Sequence, residues 1–396
     1  MEILGIETSC DETAAAIIET KKGDSCVKIL SNVVTSSLPL HAKTGGIIPE
    51  TAARQQVKYI IPVIEKVLRE SNLYLPASIR QLADHLPSST IHCPDIDAIA
   101  VTIGPGLIGS LLVGVETAKT LAYVWNKPII PVNHLIGHIY ANWIICHPEL
   151  VRCHSGLDPE SPKERNEMLN QVQHDKEKVR NDKIIEFPAL ALIVSGGHTD
   201  LVLMKNHGQI AWLGGTRDDA AGEAFDKIGR LLGLPYPGGP AIEQAAKTGN
   251  PKSFNFPRPL IGSDDFDFSF SGLKTAVFRK VSSIKYPFGP SLGRGQVLSE
   301  ETKANLAASI QAAIIDVLVK KTIKAAKKYG VKSILLSGGV AANQNLREEF
   351  ILNTKLFAPP KSLCTDNGAM IASAAFFNYK EVPWQKITAN PELYFY

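Results

Sequence analysis

The chain of 396 residues has only six cysteines, and Cys10, Cys26, Cys93, Cys146, Cys153 and Cys364 form no C-x-x-C pair. That scatter argues against a disulfide framework and for a reducing compartment. Cys146-His147 and Cys153-His154 match no standard zinc spacing. Neither sign of charge dominates. Forty-two basic residues against 39 acidic ones leave a net charge of +3. So small an excess gives no bulk attraction to nucleic acid or membrane, and any RNA contact must be local. No apolar run is long and unbroken enough to span a bilayer. Met1-Glu2-Ile3-Leu4-Gly5 lacks a basic n-region and a long h-region, so no signal peptide is expected. What these absences leave is a cytoplasmic protein that does not engage membrane.

The composition is globular, 44% hydrophobic and 20% charged. The length exceeds what one core usually serves, so two domains are expected. Residues 2–7 read as a strand, Thr8 to Thr13 as a polar turn, and Ala14 to Ile18 as a second strand; Val27 to Thr35 gives a third. The turn offers hydroxyls, a carboxylate and backbone N–H groups, suited to a phosphate or equally to a plain Asp/Ser/Thr turn. Gly45 to Glu50 leads into a helix near 50–70, with Ile60, Ile64, Val67 and Leu68 on one face. A strand at 97–103 turns through Gly104-Pro105-Gly106 into a helix over about 107–124. Residues 72–95 and 150–185 are irregular or polar and read as insertions, the second as a surface loop.

Strand 189–194, turn Ser195 to Asp200 and strand 201–204 repeat the pattern of Gly5 to Ile18. Two such hairpins suggest two halves of similar architecture. Asp218 or Asp219 is expected to cap a helix running to about Leu232, with Glu223–Lys227 and Asp226–Arg230 as i, i+4 pairs. Glu243 stands at the start of the next helix. Asp267 to Lys274 alternates polar and aromatic residues like a half-buried strand. Leu306, Ile310, Ile314 and Leu318 mark a long amphipathic helix. Its tail, Lys320, Lys321, Lys324, Lys327 and Lys328, is a solvated helix end or the densest basic patch for an RNA backbone. A strand at 334–336 ends in Ser337-Gly338-Gly339, where a ligand can approach the backbone.

Asn133 to His138 follows a short strand-like run ending at Val132. If a helix begins there, His134 and His138 face the same side one turn apart, the spacing a single metal ion needs. Alone, such a pair is more often an ordinary helix face. Asp366, just before an apolar helical run, is the candidate third ligand. Two histidines and a carboxylate suit iron(II) or zinc and leave positions open.

These motifs, taken in order, resemble a known family. They are Gly5 to Thr13, Asn133-His134 with His138, Val194 to Thr199, Asp219 to Lys227, Pro237 to Pro240, Ser269 to Lys274, Ser337 to Asn343 and Thr365 to Met370. The chain is similar to the tRNA N6-adenosine threonylcarbamoyltransferases nearly end to end. It departs at about 72–95 and 150–185, which are longer than the family pattern. The resemblance implies an α/β, actin/Hsp70-like (ASKHA) fold with two similar subdomains around a ligand cleft. Subdomain I would span 1–131, with 367–396 packing back on it. Subdomain II would span 132–366 and carry both the metal and the adenylate sites.

It also implies transfer of threonylcarbamoyl from threonylcarbamoyl-AMP to N6 of adenosine 37 in ANN-decoding tRNAs. His134, His138 and Asp366 would hold one divalent metal per subunit, Fe(2+) or else Zn(2+). Ile193, Val194, Ser195, Gly196, Gly197, Asp226, Gly239, Glu243 and Asn343 would bind the adenylate. The backbone N–H groups of Ser195 to Gly197 would stabilise developing charge. Asp11 and His198 are the candidates for a general base. A TsaB-like paralogue and a TsaE-like ATPase are the implied partners. Three alternatives stand beside this. An actin-fold kinase for a small molecule would use the same glycine turns. A metalloprotease lacks its usual base, because Leu135 follows His134. A non-catalytic paralogue would have no need of His134, His138 and Asp366.

Overall fold

The computed structural model describes residues 1–73, 93–145, 184–285, 297–352 and 354–395. Most of the two expected insertions lies outside these residues. Two compact units emerge, Met1–Ile184 with Pro359–Tyr396, and Ile185–Ala358.

In the first unit, apolar runs build a six-stranded sheet. Its strands are β1 (Glu2–Glu7), β2 (Glu12–Glu19), β3 (Val27–Ser36), β4 (Ala98–Gly104), β5 (Ile129–Asn133) and β6 (Ile144–Ile145), in the order β5-β4-β1-β2-β3-β6. β1 and β2 form an antiparallel hairpin with Glu7 opposite Ala14. β4 runs parallel to β1, and β5 parallel to β4. Such strands are apolar along nearly their whole length because both sheet faces are covered. Helices Pro49–Glu70 and Ile108–Trp125 cover one face, and Ile60, Ile64, Val67 and Leu68 are buried as their spacing predicts. Helix Gly368–Phe377 lies directly on the strands. A Cβ at Gly5 would meet Gly368 O at 2.2 Å, and one at Gly368 would meet Ala16 N at 2.4 Å.

The second unit repeats the plan. β7 (Ala189–Val194), β8 (Thr199–Asn206), β9 (Gln209–Gly215), β10 (Ser333–Ser337) and β11 (Leu356–Phe357) take the order β11-β10-β7-β8-β9. Again a hairpin is extended by a third antiparallel strand on one side and by two parallel strands on the other. The shared order, third-second-first-fourth-fifth strand in each unit, is the duplicated sheet of the actin/Hsp70-like fold. Helix Glu300–Tyr329 buries Leu306, Ile310, Ile314 and Leu318.

Five expectations change. The unit boundary does not fall at 131/132. β5 pairs with β4, and the helix that follows it, His134–Tyr140, packs on Gly368–Phe377, where Ser373 Oγ donates to Tyr140 O at 2.9 Å. Residues 132–145 and Asp366 therefore belong to the first unit, and the expected second subdomain does not carry the metal residues. Asp218 and Asp219 do not cap the helix Ala221–Leu232. Thr199 Oγ1 accepts from Ala221 N–H at 2.9 Å instead. Asp218 accepts from Ser269 Oγ, Phe270 N–H, Ser271 N–H and Ser271 Oγ, while Asp219 pairs with Lys227 and Lys274. Residues 267–270 form no strand. Phe268 bridges Thr216 once, and a helix starts at Ser271. Phe268 and Phe270 are nevertheless fully buried. In the lysine tail one residue leaves solvent, while Lys320, Lys324, Lys327 and Lys328 stay exposed as expected of a solvated helix end. Lys321 is buried, with Nζ 2.7 Å from Ser263 Oγ and 3.1 Å from Asp265 Oδ1, and Lys328 lies over the Phe266 ring. Finally, helix Leu38–Thr44 and edge strand β9 have no counterpart in the sequence reading.

The Gly5–Gly368 approach has a measurable consequence. Gly5→Ala puts a methyl into backbone that cannot give way cheaply, and overpacking of this kind costs about 1–3 kcal/mol. The midpoint of urea unfolding should fall accordingly. An unchanged midpoint would mean that the helix stands off the sheet.

Candidate functional site

The Asn133 side chain accepts from Leu135 N–H and Ile136 N–H, so the helix His134–Tyr140 starts where its cap dictates. One turn then sets His134 and His138 on one face, with ring centroids 4.6 Å apart. Asp366 precedes the helix Gly368–Phe377, whose start is fixed by Asn367 accepting from Met370 N–H. Asp366 Oδ1 stands 3.2 Å from His138 Nε2 and 3.6 Å from His134 Nε2. The three ligand atoms lie within 4.8 Å of one another, the one such cluster among the described residues.

The donor set fits a divalent ion on a specific ground. His138 is 1% exposed, yet neither ring nitrogen makes a hydrogen bond among the described residues. Its 3.2 Å approach to Asp366 is one of distance without hydrogen-bond alignment. An unsatisfied buried polar atom costs about 1–3 kcal/mol. A cation shared by the three side chains would relieve that cost.

Behind the trio stands Glu7, fully buried at the end of β1. Its Oε2 lies 3.0 Å from His134 Nδ1 and accepts from Thr102 Oγ1, while its Oε1 accepts from Ser9 N–H. A carboxylate on Nδ1 fixes the ring and leaves Nε2 for a ligand. Burial opposes a charge on His134, but Glu7 and Asp366 outweigh it and push the imidazole up to about 9. Burial, then the neighbouring carboxylates, push Glu12 well above the usual carboxylate range. The same causes push the Cys10 thiol up, which makes it a poor thiolate nucleophile. Glu7 has no role in the sequence reading. A charge closing an otherwise apolar strand was the available signal.

In the second unit, Ser195 to His198 close the β7–β8 hairpin. Ser195 N–H donates to His198 O at 2.9 Å, and His198 N–H to Ser195 Oγ at 3.2 Å. Ser195 N–H is thus spent within the turn, against the expectation that it faces a ligand. Gly196 and Gly197 border open space, since a Cβ at either would meet nothing within 4 Å. Three close approaches draw the other residues in. A Cβ at Gly222 would meet Ser195 O at 2.4 Å, one at Gly238 would meet Asp226 Cα at 2.6 Å, and one at Gly338 would meet Val194 O at 2.4 Å. Asp226 Oδ1 accepts from Gly238 N–H at 2.6 Å. Burial nonetheless raises the Asp226 carboxyl, against the lowering by the N–H groups of Gly238 and Gly239. Glu243 Oε1 accepts from Gln344 N–H at 2.8 Å, and Asn343 caps the helix Gln344–Ile351. Ile193 to Gly197, Asp226, Gly239, Glu243 and Asn343 therefore belong to one neighbourhood of the second unit. Of the base candidates, Asp11 is buried in the first unit. His198 is in the second, with Nδ1 3.8 Å from Asp200 Oδ2.

A twice-built sheet of this order and a His/His/Asp trio define an actin/Hsp70-like protein with a candidate metal centre. The profile of the family described as TsaD, tRNA N6-adenosine threonylcarbamoyltransferase, matches residues 28–159 and 169–373, and the chain belongs to that family. Its relatives include the tRNA N6-adenosine threonylcarbamoyltransferase of Thermomicrobium roseum, 46% identical over 95% of this chain and 92% of that protein. The enzymes of that name from Syntrophomonas wolfei and Bacillus cereus are each 43% identical, over 98% and 96% of this chain and 95% and 92% of theirs. Among solved structures, full-length HypF in its phosphate- and nucleotide-bound form is similar with a TM-score of 0.50 and 11% identity. The match covers 95% of this chain and about half, 55%, of that one, and carries the fold alone. No helix among the described residues is long and apolar enough to cross a membrane.

The charge on His134 sets the pH behaviour of the trio. With the imidazole at about 9 in the metal-free chain, a proton competes with the ion below that pH. Uptake of a divalent ion near neutral pH should release a proton, and affinity should rise as pH approaches about 9. His138→Ala should abolish stoichiometric uptake. Elemental analysis and calorimetry in buffers of different ionisation enthalpy check both; full metal content in His138→Ala would overturn the assignment.

Proposed function

We propose that this chain transfers the threonylcarbamoyl group of threonylcarbamoyl-AMP to N6 of adenosine 37 in ANN-decoding tRNAs. The carrying observation is the buried, hydrogen-bond-free His138 imidazole beside His134 and Asp366 in a chain of this family. His134, His138 and Asp366 hold one divalent ion per subunit, iron(II) by the family resemblance. When bound, such an ion supplies Lewis acidity towards carbonyl and phosphate oxygens.

The chain's own residues then do the following. Glu7 holds His134 in the tautomer that offers Nε2. Ile193 to Gly197, Asp226, Gly239, Glu243 and Asn343 hold the adenylate, with the N–H groups of Gly196 and Gly197 available to developing negative charge. The substrate is a mixed anhydride, already activated, so no covalent nucleophile is required. The bond from the carbamoyl carbon to phosphate oxygen breaks as the bond to N6 forms, AMP departs, and N6 gives up a proton to Asp11 or His198. N6 of adenine is a weak nucleophile, so positioning carries much of the rate. The work is done in the cytoplasm with a TsaB-like paralogue and a TsaE-like ATPase. The kinase reading has no support in the family or its relatives.

The test is incubation of the chain with unmodified tRNA, threonylcarbamoyl-AMP and iron(II), with and without the partner proteins, followed by digestion and mass spectrometry. Threonylcarbamoyl-adenosine is expected, at least with partners, and lost in His138→Ala. Its absence with cognate partners, alongside phosphate transfer from ATP to a small acceptor, would overturn the proposal.

A further inference from the structure

The turn Thr8 to Asp11 between β1 and β2 lies beside the His/His/Asp trio, with Ser9 Oγ 3.2 Å from His134 Nδ1. It is gripped from two sides. On one side is Gln56, fully buried in the helix Pro49–Glu70. Its side-chain amide donates to the carbonyls of Thr8, Cys10 and Glu12 at 3.3, 3.1 and 2.9 Å. On the other side, the amide and hydroxyl of Ser37 both donate to Asp11 O, at 3.1 and 2.9 Å. Ser37 stands at the N-cap of helix Leu38–Thr44, where a serine oxygen ordinarily accepts from the first turn. Here its side chain makes no capping bond and is spent on Asp11 instead.

Behind Ser37 is His41, 1% exposed. Ile48 N–H donates to His41 Nδ1 at 3.3 Å, so that nitrogen carries the lone pair and Nε2 carries the proton. Nε2 lies 3.0 Å from Ser37 Oγ, whose own proton is committed to Asp11 O. The chain of bonds therefore has one direction, from Ile48 through His41 and Ser37 to Asp11. Gly46 N–H also donates to His41 O, at 3.2 Å. Ile48 is thus tied to the turn beside the trio through the buried His41 imidazole.

We propose that His41 is a positioning residue for the transfer reaction. As the neutral Nε2–H tautomer it fixes the turn carrying Ser9 and Asp11 beside His134. This rests on the reading of His134, His138 and Asp366 as the reaction centre. Among the described residues the hydrogen bonds of the His41 ring run to Ser37 and Ile48, away from the three ligands, so its loss should reach turnover and not metal content. Gln56 retains its grip on the turn when His41 is changed.

The test compares His41→Gln, which can still donate and accept, with His41→Leu, which can do neither. Both are assayed as full chains with threonylcarbamoyl-AMP, unmodified tRNA, iron(II) and whatever partner proteins the wild type needs. His41→Leu should lower kcat about tenfold, a modest misplacement by the scale of such effects. KM for tRNA and metal content should be unchanged, and His41→Gln should recover most of the rate. Proton–nitrogen correlation spectra of the wild type should show the Nε2–H tautomer. Wild-type kcat in His41→Leu, or an Nδ1–H tautomer, overturns the proposal. So does equal loss in both variants with metal content falling alongside, which marks a purely structural residue. Should His41→Leu not fold, Ser37→Ala cuts the same chain at the hydroxyl. A reduced kcat there supports the proposal, and an unchanged one overturns it. A wild type that binds no metal would instead count against the reading of the trio, which separates the two failures.

Discussion

The seating of helix Gly368–Phe377 on β1 and β2 is the constraint on which the first unit depends. Two glycines, Gly5 and Gly368, bring backbone against backbone, closer than any side chain would allow. That contact returns the C-terminal segment to the sheet where the chain began. It sets Asp366 opposite the helix His134–Tyr140, which itself leans on the same C-terminal helix through Gly137 and Ser373. The trio is therefore held by packed backbone and capped helix starts. Rigid elements of this kind hold a ligand set more accurately than loops do.

Electrostatics then decide what the trio can accept. Glu7 and Asp366 flank His134 with negative charge in a buried setting, and burial, then the neighbouring carboxylates, push Glu12 towards its neutral form. Glu7 and Asp366 raise the His134 imidazole, and His138 makes no hydrogen bond among the described residues. A divalent ion would suit both side chains. Ser9 and Glu7 bring the turn Thr8 to Asp11 to the same small volume through His134 Nδ1.

Much of this was legible in the sequence. Buried strands announced themselves as apolar runs, and the i, i+4 histidines needed only the Asn133 cap to become a shared face. The motif order pointed to the family across nearly the whole chain. What failed to show has physical reasons. β9 is an edge strand with Trp212 partly exposed, so it lacks the apolar signature of its neighbours. Asp218 and Asp219 precede a helix as caps do, but local hydroxyls and lysines compete for them and win. The boundary between units was misread because packing on helix Gly368–Phe377, not sequence order, decides which unit helix His134–Tyr140 joins. Lys321 read as solvated like the other lysines of its tail because a sequence does not reveal that Asp265 and Ser263 come to meet it.

The first unit is discontinuous, with 185–358 inserted between its two parts, whereas the second is one unbroken stretch. A ribosome therefore delivers the whole second unit before it delivers Asp366. The two histidines emerge early and wait through most of synthesis for their carboxylate. Binding of an ion by all three side chains would consequently have to follow synthesis of the second unit. A product ending between Phe357 and Asp366 would keep every strand of the second sheet yet lack the carboxylate of the trio in the first.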